Sequence, residues 1–446
     1  MNNLSKQLHT LLVGILVSSA AIAQPAITDT TGAAQFSLPQ IWSRAEEYNK
    51  SIQLQKLHVQ SSEEEIKDTK AERLPEINVA GEYDYVTNMP LYDNGLLHSP
   101  TQYPVLHSAY KVGGDAYLNL YNGNKANLKI AERETINQLR KEQQNLTTSD
   151  VKLRAASYYL DLQRGTIFKE LLEKDIAEQE RQLEHIRQLQ KNGVVLKSDV
   201  LRAELQLSHQ HLSLTTIDND IAIANQKLNI LIGEPDSFHI NPLQLPNTDS
   251  LTIQPYEDYL AIAMNNSYPL KISQQQTELR RLQVKDAKAN VSPKVGLFAE
   301  YNYAYPEIQF YPYAATLYGL GITGVKASFP LSGLYKNKHK VAASEIEYRS
   351  QELEHANTED AIRQQVKEAY LRYQEAIQRI GVAKTNVQSA LENARIVNNT
   401  YFNQLSLVTD LLDANTQVLQ TEFDLAAAQI AAQLQYYQLQ NAIGNL

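Results

Sequence analysis

Two hydrophobic periods alternate along the chain. Between residues 122 and 233 the period is helical. Leu139, Leu146, Leu153, Leu160 and Ile167 recur every seven residues, and Val200, Leu207, Leu214, Ile221 and Leu228 do so after an interruption. That recurrence predicts a coiled-coil seam, and no proline occurs from Val105 to Glu234 to break the helices. The interruption reads Lys191-Asn192-Gly193-Val194-Val195-Leu196-Lys197-Ser198-Asp199; Asn-Gly tolerates positive φ, and Ser198 or Asp199 can cap a new helix. The expectation is a helical hairpin with unequal arms, 124–191 spanning ~100 Å and 198–232 ~50 Å. An arm that long lines something elongated and cannot be buried in one compact domain.

Upstream, residues 24–37 read as a loose polar tail. Ser37-Leu38-Pro39 opens a short helix that falters near Asn49, and a second segment runs to about Arg73 before Leu74-Pro75. The period then becomes two. Ile77, Val79, Gly81, Tyr83 and Tyr85 point one way, and Asn78, Ala80, Glu82 and Asp84 the other. A second run, within 109–121, sets Tyr110, Val112, Gly114, Ala116, Leu118 and Leu120 against Lys111, Gly113, Asp115, Tyr117 and Asn119. Runs of ~10 residues with one apolar and one charged face match membrane-spanning strands whose second face meets water. A hairpin packed on a soluble core fits the same two runs equally well.

The second half repeats the first. Ile66-Lys67-Asp68-Thr69-Lys70-Ala71 and Pro75 return as Val284-Lys285-Asp286-Ala287-Lys288-Ala289 and Pro293, and Glu82-Tyr83-Asp84-Tyr85 returns at the same offset as Glu300-Tyr301-Asn302-Tyr303. Ser198-Asp199-Val200-Leu201 and Ile232-Gly233 return as Thr409-Asp410-Leu411-Leu412 and Ile443-Gly444 at a slightly shorter offset, the shortfall falling in the loop between paired strands. The first repeat is 38–232, with strands 76–86 and 109–121. The second is 256–446, with strands 294–304 and 318–329, a long helix 334–402 and a half-helix 409–443. Val366, Tyr373, Ile380, Val387, Ala394 and Tyr401 form its seam. Residues 233–255, rich in proline and small polar residues, read as a linker without a core of its own.

The expected fold is mainly α with a small β part, internally duplicated, with four strands and four helix-width columns per chain. Four strands cannot close a barrel, and open sheet edges are not tolerated in lipid, so the chain must oligomerise. Two copies give eight strands and three give twelve. Twelve helices ~10 Å apart leave a bore of ~25–30 Å, eight only ~15 Å; periodicity does not choose between them. Ile77, Val79, Tyr83, Val112, Leu118, Val295, Leu297 and Tyr301 are the residues expected to face outer-membrane lipid.

Composition narrows the class. Lys6, the apolar run from Leu11 to Val17 and Ala21-Ile22-Ala23 before Gln24 read as a secretory signal over 1–23. Gln24 is not cysteine, which excludes lipid attachment at that site. The chain has no cysteine and a net charge of −9, which argues against thiol chemistry, cysteine metal sites and nucleic acid as a partner.

The signal segment, the duplicated helix–strand–strand–helix plan, the Asn192-Gly193 turn, Thr409-Asp410-Leu411-Leu412-Asp413-Ala414 and terminal Ile443-Gly444 together resemble the TolC family of outer-membrane efflux proteins. The resemblance implies a homotrimer closing one twelve-stranded β-barrel in the outer membrane and one α-helical barrel across the periplasm. It implies a tunnel mouth that docks a periplasmic adaptor protein joined to an inner-membrane transporter. It also implies an aspartate ring at Asp410 and Asp413, with Tyr401 and Asp199 in the constriction network; an arginine of that network is replaced by Ser406. Gln404 stands where the second turn usually has glycine.

Two sites follow from the residues themselves. Gly193, Val194 and Val195, with Leu405, Ser406 and Leu407, make turns small or apolar where solvated turns are normally polar, which suits adaptor contact; the alternative is that these residues merely close the turns. Asp410 and Asp413 lie three apart on one helix face, although capping alone would explain Asp410 and its repeat partner Asp199.

Enzyme chemistry has no residues to carry it: no phosphate loop, no His-Glu-x-x-His and no nucleophile elbow are present. His209 and His211, the closest histidine pair, point to different faces of a helix, so neither a metal nor a cofactor is expected. The opposing reading is a secreted or periplasmic coiled-coil structural protein without a pore.

Overall fold

The computed structural model describes residues 34–243, 251–307, 314–403 and 405–446. The expected signal segment, most of the tail and Gln404 lie outside them. Strand β1 (Ala34–Phe36) precedes helices α1 (Leu38–Tyr48) and α2 (Lys50–Ala71). Gln40 reaches back to accept the Ser37 N–H at 2.8 Å, and the Asn49 side chain accepts from Ser51 N–H at 3.0 Å, separating the two helices. Strand β2 (Glu76–Tyr85), the short pair β3 (Met89–Leu91) and β4 (Thr101–Tyr103), and β5 (Ser108–Tyr121) follow, then α3 (Lys125–Lys191) and α4 (Lys197–Ile232). Strand β6 (Ile240–Pro242) leads to α5 (Tyr256–Asn266), α6 (Tyr268–Ala289), β7 (Lys294–Tyr305), β8 (Tyr318–Ser328), α7 (Gly333–Lys336), α8 (Lys338–Phe402) and α9 (Val408–Ala442).

The helices form four adjacent columns. α2 and α4 both pack on α3; α3 packs on α6 and α9; α6 and α9 both pack on α8. Each short pair thus covers one face of a long helix, and α2/α4 and α8 are the outer columns. This order explains the buried positions. α8 has neighbours on one side, and Val366, Tyr373, Ile380 and Tyr401 of its expected seam are buried. α3 has neighbours on both sides. Of its expected seam only Leu160 is fully buried, and Val151, Ala155, Ala156, Leu162, Leu172 and Ile176 share the burial. A single seam is therefore the wrong description of α3.

Three further expectations are corrected. The segment read as tail contributes β1, which pairs in parallel with β6 inside the segment read as a coreless linker. Tyr159 in α3 joins them, donating to Phe36 O at 2.8 Å and accepting from Leu243 N–H at 2.9 Å. Ile240 is buried in the same cluster as Ile41, Leu162 and Leu228, so the linker is part of a core. The helix expected over 334–402 is broken at Asn337, whose side chain donates to Ala287 O at 2.6 Å and ties the start of α8 to the end of α6.

The main sheet runs β2-β5-β7-β8, antiparallel throughout. Its two central strands come from different halves of the chain, and β2 and β8 each have one edge without a partner among the described residues. A register shift between Asn119 and Tyr121 takes Leu120 out of the alternation expected for it.

Candidate functional site

Direct cross-strand partners share a face. Ile77 pairs Ala116, Val79 pairs Gly114, Gly81 pairs Val112 and Tyr83 pairs Tyr110. The same face continues through Val112–Tyr303, Gly114–Tyr301 and Leu118–Leu297 to Val295–Ala327, Leu297–Val325 and Tyr301–Gly321. All eight residues expected to meet lipid therefore lie on one face. The other face carries Glu76, Asn78, Glu82, Asp84, Lys111, Asp115, Glu300, Asn302 and Lys326.

The apolar face has no layer upon it: Val79 is 83% exposed, and Ile77, Tyr83, Val112, Leu297 and Tyr301 are exposed too. No helix packs extensively on this sheet among the described residues, which removes the soluble-core hairpin as an account of it. Tyrosines gather at the loop end of the apolar face (Tyr83, Tyr85, Tyr110, Tyr301, Tyr303, Tyr305), and aliphatic residues toward the helices (Ile77, Val79, Leu118, Val295, Leu297, Val325).

At the opposite end of the helices, both turns close alike. Gly193 has φ +74°, Gly193 N–H reaches Gln190 O at 3.0 Å, and Val194 N–H reaches Leu189 O at 2.9 Å. Leu405 N–H reaches Thr400 O at 2.9 Å in the second turn. These bonds satisfy the last carbonyls of α3 and α8. Gly193, Val194, Leu405 and Leu407 are exposed, Leu405 to 78%. Val195 instead packs on the tip core of Leu183, Ile186, Ala203, Leu411 and Leu412. Ser406 lies near Thr400 Oγ1, at 3.2 Å. Both residues are half-buried and help to close the turns, and both also line the cavity between them.

A cavity of about 420 Å³ separates the turns; its lining includes His185, Asp199, Tyr401, Ser406 and Leu407. Burial pushes the Tyr401 hydroxyl above its usual range, and the charge of nearby Asp199 adds to the effect. The structure thus brings Tyr401 and Asp199 together. Asp199 and Asp410 each accept the N–H of the residue three before them, Leu196 and Leu407, at 3.0 Å. They stand at the third helical position of α4 and α9, so leucine and not Ser198 or Thr409 occupies the cap position. Asp413 is exposed one turn further on. Neither Asp410 nor Asp413 lines the cavity.

Sequence reasoning missed a pattern on the outer columns. Exposed large apolar residues of the principal helices are confined to them. On α4 they are Leu201, Leu205, Leu212, Ile223 and Ile230; on α8 they include Ile346, Leu353, Leu371, Val382 and Ile396. At ~100° per residue each of these sets falls in a stripe ~40° wide, and Leu391, also exposed on α8, lies alone on the opposite face. Leu54 and Leu57 continue the first edge on α2. The spacing was available in the sequence but lies beside the heptad positions, which drew the reading to the internal seams.

Among the described residues no helix is long and apolar enough to cross a membrane, and no group of three or more acidic, histidine or cysteine side chains is placed to hold a metal.

Residues 260–445 match the family model described as outer membrane efflux protein. No curated relative matches the sequence. Several solved structures share the fold. CusC, a transmembrane channel, aligns at 16% identity and TM-score 0.77, covering 92% of each chain. The outer membrane protein VceC of Vibrio cholerae aligns at 16% identity and TM-score 0.75, covering 91% of this chain and 96% of its own. The open state of the MtrE outer membrane channel of Neisseria gonorrhoeae aligns at 15% identity and TM-score 0.71, covering 91% and 88%. The efflux-protein family pattern thus covers residues 260–445, and these solved outer-membrane proteins share the fold over more than nine-tenths of the chain.

Proposed function

We propose that three copies close into a channel-tunnel giving passive exit to substrates delivered by an inner-membrane transporter through a periplasmic adaptor. The observation that carries this reading is the pair of narrow apolar stripes on the two outer helix columns, beside a sheet whose two edges lack partners. One chain is a slice of wall. Its α8 stripe meets the α2/α4 stripe of the next copy, and β8 pairs with the neighbouring β2. Three copies give twelve strands and twelve columns, with a bore of ~25–30 Å at ~10 Å between helices. The twofold recurrence of the element order is the mark of a duplicated ancestor. Light scattering of the detergent-extracted protein, followed by planar-bilayer recording, tests the reading: a trimer with ohmic conductance is expected, and a non-conducting monomer or dimer refutes it.

Adaptor contact belongs to the exposed part of the turns, Gly193 and Val194 with Leu405 and Leu407. A β-carbon at Gly193 meets nothing within 4 Å, but φ is +74°, so a bulky residue is strained by ~1–2 kcal/mol without a clash. Gly193→Trp is expected to abolish export while trimers form. Gly193→Asn, which tolerates the left-handed region, should retain export. Normal export by the tryptophan variant removes the proposal.

Asp410 and Asp413 of three copies form an aspartate ring at the tunnel mouth, with Tyr401 and Asp199 in the constriction beside it. Converging carboxylates concentrate multivalent cations. Because Asp410 also holds the Leu407 N–H, asparagine is the informative substitution: it removes charge and keeps an acceptor. A trivalent cation added on the helical side should block wild-type conductance at low concentration. Asp410→Asn with Asp413→Asn should weaken block roughly tenfold or more. Equal block in both proteins places these aspartates away from the pore.

A further inference from the structure

The two connections from sheet to long helix are built differently. Between β5 and α3 the chain passes through Asn122, buried Gly123 and Asn124. The following Lys125 is committed, with its amine on Asn290 Oδ1 and 3.8 Å from Asp286. Between β8 and α8 the chain instead presents Leu331, Leu334 and Tyr335, each more than half exposed. Lys336, Lys338 and Lys340 follow, exposed and in no ion pair among the described residues. The contrast lies at one level of the molecule, where the strands end and the helices begin.

A groove of about 470 Å³ opens at this level between the end of α6 and the start of α8. Val291, Leu334, Val341 and Ala342 give it apolar walls, and Lys338 stands among its lining residues. Lys288 also lines it but is held by Glu345 at 2.8 Å, leaving Lys338 as its uncommitted cation among the described residues. The groove is preformed, because Asn337 is fastened to Ala287 O at 2.6 Å and lies 3.3 Å from Asn290. Val295, the first apolar-face residue of β7, begins four residues after Val291. Apolar walls joined to a cationic rim fit a molecule with an acyl chain and a phosphate. The loop end of the sheet carries acids in place of these lysines, at Asp84, Asp93 and Glu307.

We propose that this groove binds an anionic phospholipid of the membrane leaflet on the helix side. Lys338, helped by Lys336 and Lys340, takes the phosphate, and Val291, Leu334 and Val341 take the first part of the acyl chain. The inference rests on the reading of the sheet as membrane-spanning. Basic residues at a membrane surface and buried methylenes both favour such binding.

The test uses the full-length channel in nanodiscs made of phosphatidylcholine with an equal share of phosphatidylglycerol. Retained lipid is counted by native mass spectrometry after release, and single-channel conductance is recorded in parallel. The wild type should retain phosphatidylglycerol over phosphatidylcholine by roughly tenfold. Lys336→Gln with Lys338→Gln should erase that preference with oligomer mass and conductance unchanged, and Val341→Asn should lower retention of both lipids. Equal retention by the wild type, or an undiminished preference in the lysine variant, overturns the proposal. Saturable binding of inorganic phosphate in lipid-free detergent overturns the lipid assignment. Loss of the oligomer in lipid-free detergent on the lysine substitutions makes the groove a contact between copies and overturns it as well. A conducting oligomer without lipid preference sinks this inference alone, whereas failure to insert and conduct sinks the channel reading beneath it.

Discussion

Val79→Arg and Leu297→Arg are each expected to deplete the assembled channel from outer membranes at least ~tenfold, while Asn78→Arg leaves it near the wild-type level. The physical ground is the depth-dependent cost of a cation on a lipid-facing strand, ~2–4 kcal/mol near mid-membrane. A factor of ten corresponds to ~1.4 kcal/mol, and a closed trimer meets the cost three times. Val79 and Leu297 sit on the continuous apolar face of β2, β5, β7 and β8. Asn78 sits on the other, 3.3 Å from Asp115 Oδ2, so an arginine there gains a carboxylate. Gly296 shares the polar face but is no control, since a β-carbon on it would lie 2.5 Å from the Tyr117 hydroxyl. Membrane fractionation followed by quantification of the oligomer gives the measurement. Equal tolerance of arginine on both faces means that the apolar face does not meet lipid.

This sheet shows how much the sequence disclosed and where it stopped. The two-residue period assigns each side chain to a face without knowledge of which strands are neighbours, so Ile77, Val79, Leu297 and Tyr301 were legible as one class. Strand order was not: β5 and β7 pair across the two halves, and nothing local in either run announces it. The pairing of β1 with β6 was hidden for a related reason. Each strand has three residues, too few to show a period, and they are held together by Tyr159 and Asn225, which reach from distant helices. Burial of Asn225, Asn229 and Gln163 follows from the same layout. Polar side chains are tolerated inside because they satisfy the backbone of an irregular segment: Asn225 Oδ1 accepts the Ile240 N–H at 2.9 Å, and the Asn229 amide bonds Phe238 O at 2.8 Å.

At the two helical turns the residues were legible but their roles were divided differently. Asp199 was expected either to cap a helix or to join the constriction, and it does the first from the third helical position while lying beside Tyr401. One carboxylate oxygen fixes the turn, and the charge still reaches the cavity. Sequence carries no sign that Val195 is half-buried while Val194 beside it is exposed. That difference is set by the tip core, which draws residues from α3, α4, α8 and α9 together.

The edge stripes carry the second large effect. Leu205→Glu combined with Leu212→Glu on α4 is expected to convert the trimer to monomer, with the helical circular dichroism signal of the chain retained. Both leucines are exposed in the single chain, at 60% and 65%, so the substitution removes no internal packing and the monomer has little to lose. In the proposed ring the α8 stripe of the next copy would cover these positions, with Leu353, 74% exposed in one chain, as a matching element. Each leucine forfeits ~1.5–3 kcal/mol of burial, and each carboxylate adds the cost of dehydration without a partner. Every subunit interface bears the change, so the loss is repeated three times per ring. Ser213→Glu, exposed on α4 and ~100° around the helix from the middle of the stripe, is the control and should leave the trimer intact. Sedimentation velocity in detergent separates the two species. A Leu205→Glu/Leu212→Glu protein that still sediments as a trimer would show that the stripe is not buried between copies, and the wall would have to be closed through other surfaces.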